Sequence, residues 1–166
     1  MTRLMRDSTN LRDIPIQGTD IVAGYVNGSG AASKEDFARF PGIPHVHIDV
    51  NASAPTEAGV LDFEPGDRQD PAMAAIWAKR RRAAFPGHYP PVIYCNRSEL
   101  PLLFNGMNAA GLEIVKDFRL WIATLDGTKT VADMTGVTAV QFAGESMTGG
   151  HYDESIVYDP EWHRVP

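Results

Sequence analysis

One cysteine, Cys95, stands in a chain of 166 residues. An internal disulfide is therefore excluded, and so is a thiolate metal cluster. Set among apolar strand formers, that thiol reads as core packing. Positive charge is also scarce: 15 Lys and Arg stand against 21 Asp and Glu, for a formal charge of −6. This balance counts against a nucleic-acid binder. The only dense basic run, Lys79-Arg80-Arg81-Arg82, falls late in a predicted helix, where cations complement the helix dipole. No window is long and apolar enough to span a membrane. Arg3, Arg6, Asp7, Arg12 and Asp13 leave no apolar run near the N-terminus. The expectation is synthesis in the cytoplasm without a signal peptide. Gly24 to Gly30 lack the GxGxxG order, and no lysine completes a phosphate loop. Ser146 lies between glycines but not in a nucleophile elbow.

What remains suits a globular protein: 43% of residues are hydrophobic, and the length fits one domain over residues 1–166. Alternation and β-branching predict strands at Leu4-Met5, 21–26, 45–50, 60–64, 91–96, 118–125, 137–142 and 155–158. Ser33, Asp70-Pro71 and Ser98 read as helix starts. The helix from Ala72 to Phe85 offers Met73, Ile76, Trp77 and Ala84 for a buried stripe, and the next offers Leu102, Leu103 and Met107. Gly106 weakens that second helix. No helix is expected between Asp126 and Gly136. Alternating strands and helices in the first half imply an α/β fold with a parallel sheet. Eight strands suggest a closed barrel, yet a full (β/α)8 barrel usually takes about 200 residues or more. Either outer helices are missing or the sheet is open and doubly wound.

The chemistry centres on Val60-Leu61-Asp62-Phe63-Glu64-Pro65-Gly66. A strand repeats every two residues, so Asp62 and Glu64 share a face and Phe63 takes the other. In parallel folds the site gathers at the strand C-termini. There the other strands deliver Asp7, Tyr25, Asn27, His47, Asp49, Tyr94, Asn96, Trp121, Thr124 and Gln141, and the loop before the last strand delivers Tyr152 and Asp153. Carboxylates, amides and aromatic rings together suit a carbohydrate. Glycoside hydrolysis uses two carboxyl roles. Glu64 is the candidate acid, its pKa expected to be raised by burial and by Asp62. Asp62 and Asp7 are the candidates for the second role. A competing pattern is His45-Val46-His47-Ile48-Asp49, whose polar residues could hold a metal for a metal-dependent hydrolase.

Seven ordered segments carry a resemblance. They are Arg6-Asp7-Ser8-Thr9, Val22-Ala23-Gly24-Tyr25-Val26, Val60 to Asp67, Val92-Ile93-Tyr94-Cys95-Asn96-Arg97-Ser98, Trp121-Ile122-Ala123, Val140-Gln141-Phe142 and Gly150-His151-Tyr152-Asp153. In these the chain resembles the glycoside-hydrolase-like domains of actinobacteria and their phages, relatives of the Chalaropsis-type lysozymes of glycoside hydrolase family 25. The resemblance implies a compact, irregular (β/α) TIM-like barrel with outer helices missing in its second half. It implies cleavage of peptidoglycan β-1,4 bonds, without metal or cofactor. It aligns Asp7 with the acid ending the first strand, Asp62 and Glu64 with the Asp-x-Glu pair, and Asp153 with an acid near the last strand. Tyr25, Asp49, Tyr94, Asn96, Trp121, Gln141, Tyr152 and Asp153 are the expected substrate contacts. The expected partner is a cell-wall glycan or other polysaccharide, with action at the cell wall or in a phage particle. The alternative is a catalytically silent barrel that binds a glycan or a structural protein of a phage or actinobacterial assembly.

Overall fold

The structure, a computed structural model, describes residues 2–64, 70–131, 134–159 and 161–162. Pro65, Gly66, Asp67, Pro160 and His163 lie outside them. Eight strands close into a barrel in chain order. They are β1 (Arg3–Asp7), β2 (Ile21–Tyr25), β3 (His45–Asp49), β4 (Val60–Asp62), β5 (Val92–Asn96), β6 (Arg119–Ala123), β7 (Val137–Ala143) and β8 (Asp153–Val157). The described α-helices are α1 (Lys34–Phe37), α2 (Pro71–Ala84), α3 (Leu100–Ala109) and α4 (Glu145–Thr148). The irregular TIM-like barrel therefore forms, and the open sheet does not. Only α2 and α3 are long, and the described residues between β6 and β7 hold no helix. Among the described residues no helix is long and apolar enough to cross a membrane.

Neighbouring strands from β1 to β7 run parallel. β8 runs antiparallel to both β7 and β1. A parallel return takes a dozen or so residues, and the connection 144–152 is shorter. It contains α4, which ends at Gly149 in the left-handed conformation at φ 72°. The direction of β8 matters for the site, because it is the start of this strand that reaches the mouth.

Alternation along each strand creates two apolar surfaces. Met5, Ile21, Val46, Val60, Val92, Ala139 and Val157 fill the interior. Leu61, Phe63, Ile93, Cys95 and Ile122 point outward and pack on Trp77, Leu103 and Met107 of α2 and α3. Burying a side chain of that size is worth about 1.5–3 kcal/mol, so this flank is the heavily supported one. Cys95 is core, as expected, and burial pushes its thiol up to about 12.

The helix starts follow local chemistry. Ser33 accepts from the Asp36 backbone N–H while Asp36 accepts from that of Ser33, a complete capping box. Asp70 caps α2 through the Ala72 N–H, with Pro71 in the first turn. Ser98 does not cap α3. Residues 97–99 form a 3-10 turn instead, and the Ser98 hydroxyl donates to Glu99.

The buried face of α2 differs from the expected stripe. Ala74, Ala75, Trp77, Ala78 and Arg81 face inward, while Met73 and Ile76 are exposed. Trp77 and Arg81 are four apart and so share a face. Trp77 Nε1 donates to Asp49 at 2.9 Å, and Arg81 Nη1 donates to the Pro55 carbonyl at 3.1 Å. These two bonds set the rotation of the helix, and small alanines let it lie close. Arg81 is thus a buried tie rather than a solvent-facing end charge. On α3, Leu103 and Met107 are buried as expected and Leu102 is exposed.

Gly106 marks the closest approach of α2 and α3. A Cβ there would meet Pro71, 2.6 Å from its carbonyl oxygen. Alanine would gain about 1 kcal/mol of helix propensity, but overpacking costs about 1–3 kcal/mol. We expect Gly106→Ala to lower the urea midpoint of unfolding; an unchanged or higher midpoint would mean that the helices separate freely.

Candidate active site

The mouth lies at the C-terminal ends of the parallel strands. β1 ends there at Asp7, β2 at Tyr25 and β5 at Asn96. β4 pairs formally only to Asp62, but the Phe63 N–H still donates to the Tyr94 carbonyl at 2.8 Å. The alternation therefore continues. Phe63 is buried in the outer cluster, and Asp62 and Glu64 face the mouth. From the antiparallel side β8 contributes its first residue, Asp153, directly opposite Asp7 in the register.

Among the described residues two hollows lie at the mouth. One, about 460 Å³, is lined by Thr9, Tyr25, Asn27, Gly28, Ser29, Gly30, Val50, Asn51, Asp62 and Glu64. The other, about 250 Å³, is lined by Asn96, Arg97, Ser98, Ala123, Thr124 and Asp126. Asn96 Nδ2 donates to Glu64 Oε1 at 3.0 Å. That bond joins a residue of one hollow to a residue of the other, so Glu64 stands at their junction.

Asp7 is 5% exposed. Burial, then the charges of Asp153, Asp62 and Glu64, push its carboxyl well above the usual range. Asp153 also rises, through burial and then Glu145, while a 2.6 Å hydrogen bond from Gln141 Nε2 pulls the other way. Burial and the same acids hold the Tyr25 and Tyr94 phenols neutral. Buried Gln141 reaches the mouth by holding Asp153. Trp121 lies beneath Tyr94, its ring edge-on at 4.7 Å, and donates to Ser155 Oγ at 3.0 Å. At 1% exposure Trp121 offers no face to a ligand and instead forms the floor.

Two expected contacts lie elsewhere. Tyr152 packs against the Leu11–Phe40 cluster outside the barrel, with the Arg6 guanidinium 5.3 Å from its ring centre. Asp49 points outward because it alternates with Ile48, an interior residue. Asp49 is fully buried and accepts from Asn27 Nδ2, Trp77 Nε1 and the backbone N–H groups of Asn51, Ser53 and Ala54. It shapes the mouth from behind, since Asn27, Val50 and Asn51 wall the larger hollow. Ala52, in the loop that Asp49 gathers, is held at φ 54°, a strained conformation for a non-glycine residue.

His45 and His47 share that outer face, in a groove of about 690 Å³ over β3. His45 Nε2 contacts the Phe40 carbonyl at 3.4 Å and His47 Nδ1 the Glu57 carbonyl at 3.1 Å. Both rings also pack on Phe37. With Asp49 committed to five donors, a metal-dependent hydrolase built on these three residues has no support. No group of three His, Cys, Asp or Glu among the described residues is arranged to hold a metal ion. Among the described residues this groove is larger than either hollow of the mouth, but it lies outside the barrel, away from the converging carboxylates. Sequence reading did not reveal the anchoring role of Asn27. Its one signal was the Asn27-Gly28-Ser29-Gly30 turn.

No family model matches the chain, and no curated protein matches it significantly. Solved structures do. A family 25 glycosyl hydrolase from Bacillus anthracis matches with a TM-score of 0.57 at 12% identity, over 96% of this chain and 90% of that one. A muramidase from Acremonium alcalophilum matches at 0.53 and 14%, over 99% and 96%. The chain has the fold of the family 25 glycosyl hydrolases. The Clostridium perfringens spore cortex lytic enzyme SleM matches at 0.60 and 16%, over 95% of this chain and 67% of its own. In this family 25 fold, Asp7, Asp62, Glu64 and Asp153 meet at one mouth.

Two buried aspartates should respond oppositely to substitution. Folding raises the pKa of Asp7, so its contribution to stability is full below the unfolded value of about 4 and is lost as pH rises through the folded value. Asp7→Asn should therefore raise the melting temperature at pH 7, with a gain that shrinks toward pH 4; a gain independent of pH would remove this account. Asp49→Ala strands several buried donors, each costing about 1–3 kcal/mol. It should lower stability in urea by at least about 3 kcal/mol, and a loss under about 1 kcal/mol would show that the loop reorganises.

Proposed function

We propose that this chain is a glycosidase that cleaves a cell-wall glycan, acting as a muramidase on the β-1,4 bonds of peptidoglycan with Glu64 as general acid. The carrying observation is the place of Glu64 at the junction of two hollows. A polysaccharide lying across the mouth would put one sugar on each side and the bond between them at that carboxyl. The Asn96 amide donates to Glu64 Oε1 and so orients the carboxyl at that junction. Asp62 shares the face of Glu64 and lines the same hollow, so it is favoured over Asp7 for the second carboxyl role. The walls supply hydroxyl partners in Ser29 and Asn51, and Tyr25 supplies an amphipathic ring. Likeness of fold to a muramidase and to a spore cortex lytic enzyme supports the same substrate class. Such a substrate places the protein's work at a cell wall, free or within a phage particle.

The decisive experiment incubates the protein with purified peptidoglycan and identifies new reducing ends by mass spectrometry. Wild type should release fragments with muramic acid at the reducing end. Glu64→Gln should lower the rate by about 10²–10⁴-fold, the usual worth of a positioned acid, with an unchanged circular dichroism spectrum. Binding without release by wild type would instead identify a silent glycan-binding barrel.

A further inference from the structure

We infer that Asp7 and Asp153 form an asymmetric pair, in which Asp7 stays a neutral acid at working pH and donates a hydrogen bond to a sugar oxygen, while Asp153 carries the charge. The donor role rests on the glycosidase reading; the placement of the proton does not. The register sets the two residues directly opposite across β1 and β8. Opposed residues of an antiparallel pair have Cα atoms about 4.5–5.5 Å apart, and like charges so placed are destabilising. Two carboxylates this close do not both ionise readily.

Their surroundings decide which one keeps the proton. Asp153 Oδ2 accepts from Gln141 Nε2 at 2.6 Å, an arrangement that favours a charged oxygen. Asp7 Oδ1 is enclosed and accepts no hydrogen bond from the described residues. An enclosed carboxylate oxygen without a donor is costly, and a neutral carboxyl costs much less.

The facing charges point the same way. β4 presents Asp62 and Glu64 to Asp7, β2 presents Tyr25, and β5 presents Tyr94. From α4, Glu145 acts on Asp153, and His151 lies 3.7 Å from Glu145 rather than on the aspartates. Arg6, next to Asp7 in β1, is committed outside the barrel to Glu154 at 2.9 Å and to Thr19. Burial and the neighbouring acids both raise the Asp7 pKa, in agreement with this geometry. A neutral acid can donate, whereas an ionised one only accepts. Asp7 is then a substrate-orienting donor, and the second carboxyl role beside Glu64 stays with Asp62.

Two readouts test this. The first is infrared titration of the carboxyl C=O band in the intact protein, which needs no turnover. In a Glu64→Gln background, which removes the general acid's own proton, a protonated-carboxyl band should persist at neutral pH and vanish on adding Asp7→Asn but not on adding Asp153→Asn. No such band, or a band retained in the Glu64→Gln, Asp7→Asn protein, overturns the assignment. The second is the pH dependence of kcat/KM on peptidoglycan. Asparagine keeps a neutral donor, so Asp7→Asn should fall about tenfold and Asp7→Ala about tenfold further, each tenfold step being about 1.4 kcal/mol, the scale of one hydrogen bond. Asp7→Asn as inactive as Glu64→Gln, with its fold intact, would show that Asp7 works ionised. A wild type without turnover would overturn the donor role along with the glycosidase reading, and the infrared result would still decide the proton.

Discussion

The antiparallel pairing of β8 with β1 closes the barrel, and the same pairing opposes two acids. A small barrel must be closed to bury its strand edges. Once the short connection after β7 forces β8 to run backward, the first residue of that strand is bound to lie at the mouth. That residue is Asp153, and its cross-strand neighbour is Asp7. Closure favours folding, while the juxtaposition opposes it. The site therefore draws on stability supplied elsewhere, chiefly by the packing of α2 and α3 against the outside of β4, β5 and β6.

Asp49 and Asp7 are the same residue type, buried nearly to the same degree, yet in opposite conditions. Asp49 accepts from two side chains and three backbone N–H groups, and it gathers the loop after β3 around itself. Asp7 is surrounded by acids, and its enclosed oxygen has no donor among the described residues. A fold gains from the first arrangement. It tolerates the second where an activity uses it. This contrast separates a structural aspartate from a functional one more surely than burial or position at a strand end, since both end their strands.

Much of the fold was legible in the sequence, because strand alternation is a local signal. Val60-Leu61-Asp62-Phe63-Glu64 fixed which residues share a face, and that survived even though formal pairing stops at Asp62. Ser33 and Asp70 announced their helices through side-chain chemistry a few residues away. What was not legible depended on distant partners. Alternation says that His45, His47 and Asp49 share a face, but not whether that face is inside or outside. The answer comes from Trp77, far along the chain, whose indole N–H needs an acceptor. The same bond turned α2 away from its expected stripe. Ser98 failed as a cap because the backbone after β5 tightens into a 3-10 turn first. Trp121 was placed on the correct strand, but its depth in the barrel followed from the whole set of registers.

The uneven helix coverage also bears on how the mouth works. Glu64 and Asn96 extend from β4 and β5, the strands braced from outside by Trp77, Leu103 and Met107. Asp153 begins a strand that follows the four-residue α4 and a glycine-flanked turn. A proton donor must be held to within a fraction of an ångström of its acceptor to be effective. A charged group acting through its field tolerates more displacement. The division of roles argued for the carboxylates follows that division of rigidity: the candidate acid stands on the braced flank, and the charge-bearing member of the Asp7–Asp153 pair stands on the lightly covered one. Gln141, buried in β7, then has a specific task. It holds Asp153 from the barrel interior, while the Glu145 backbone of α4 holds it from outside.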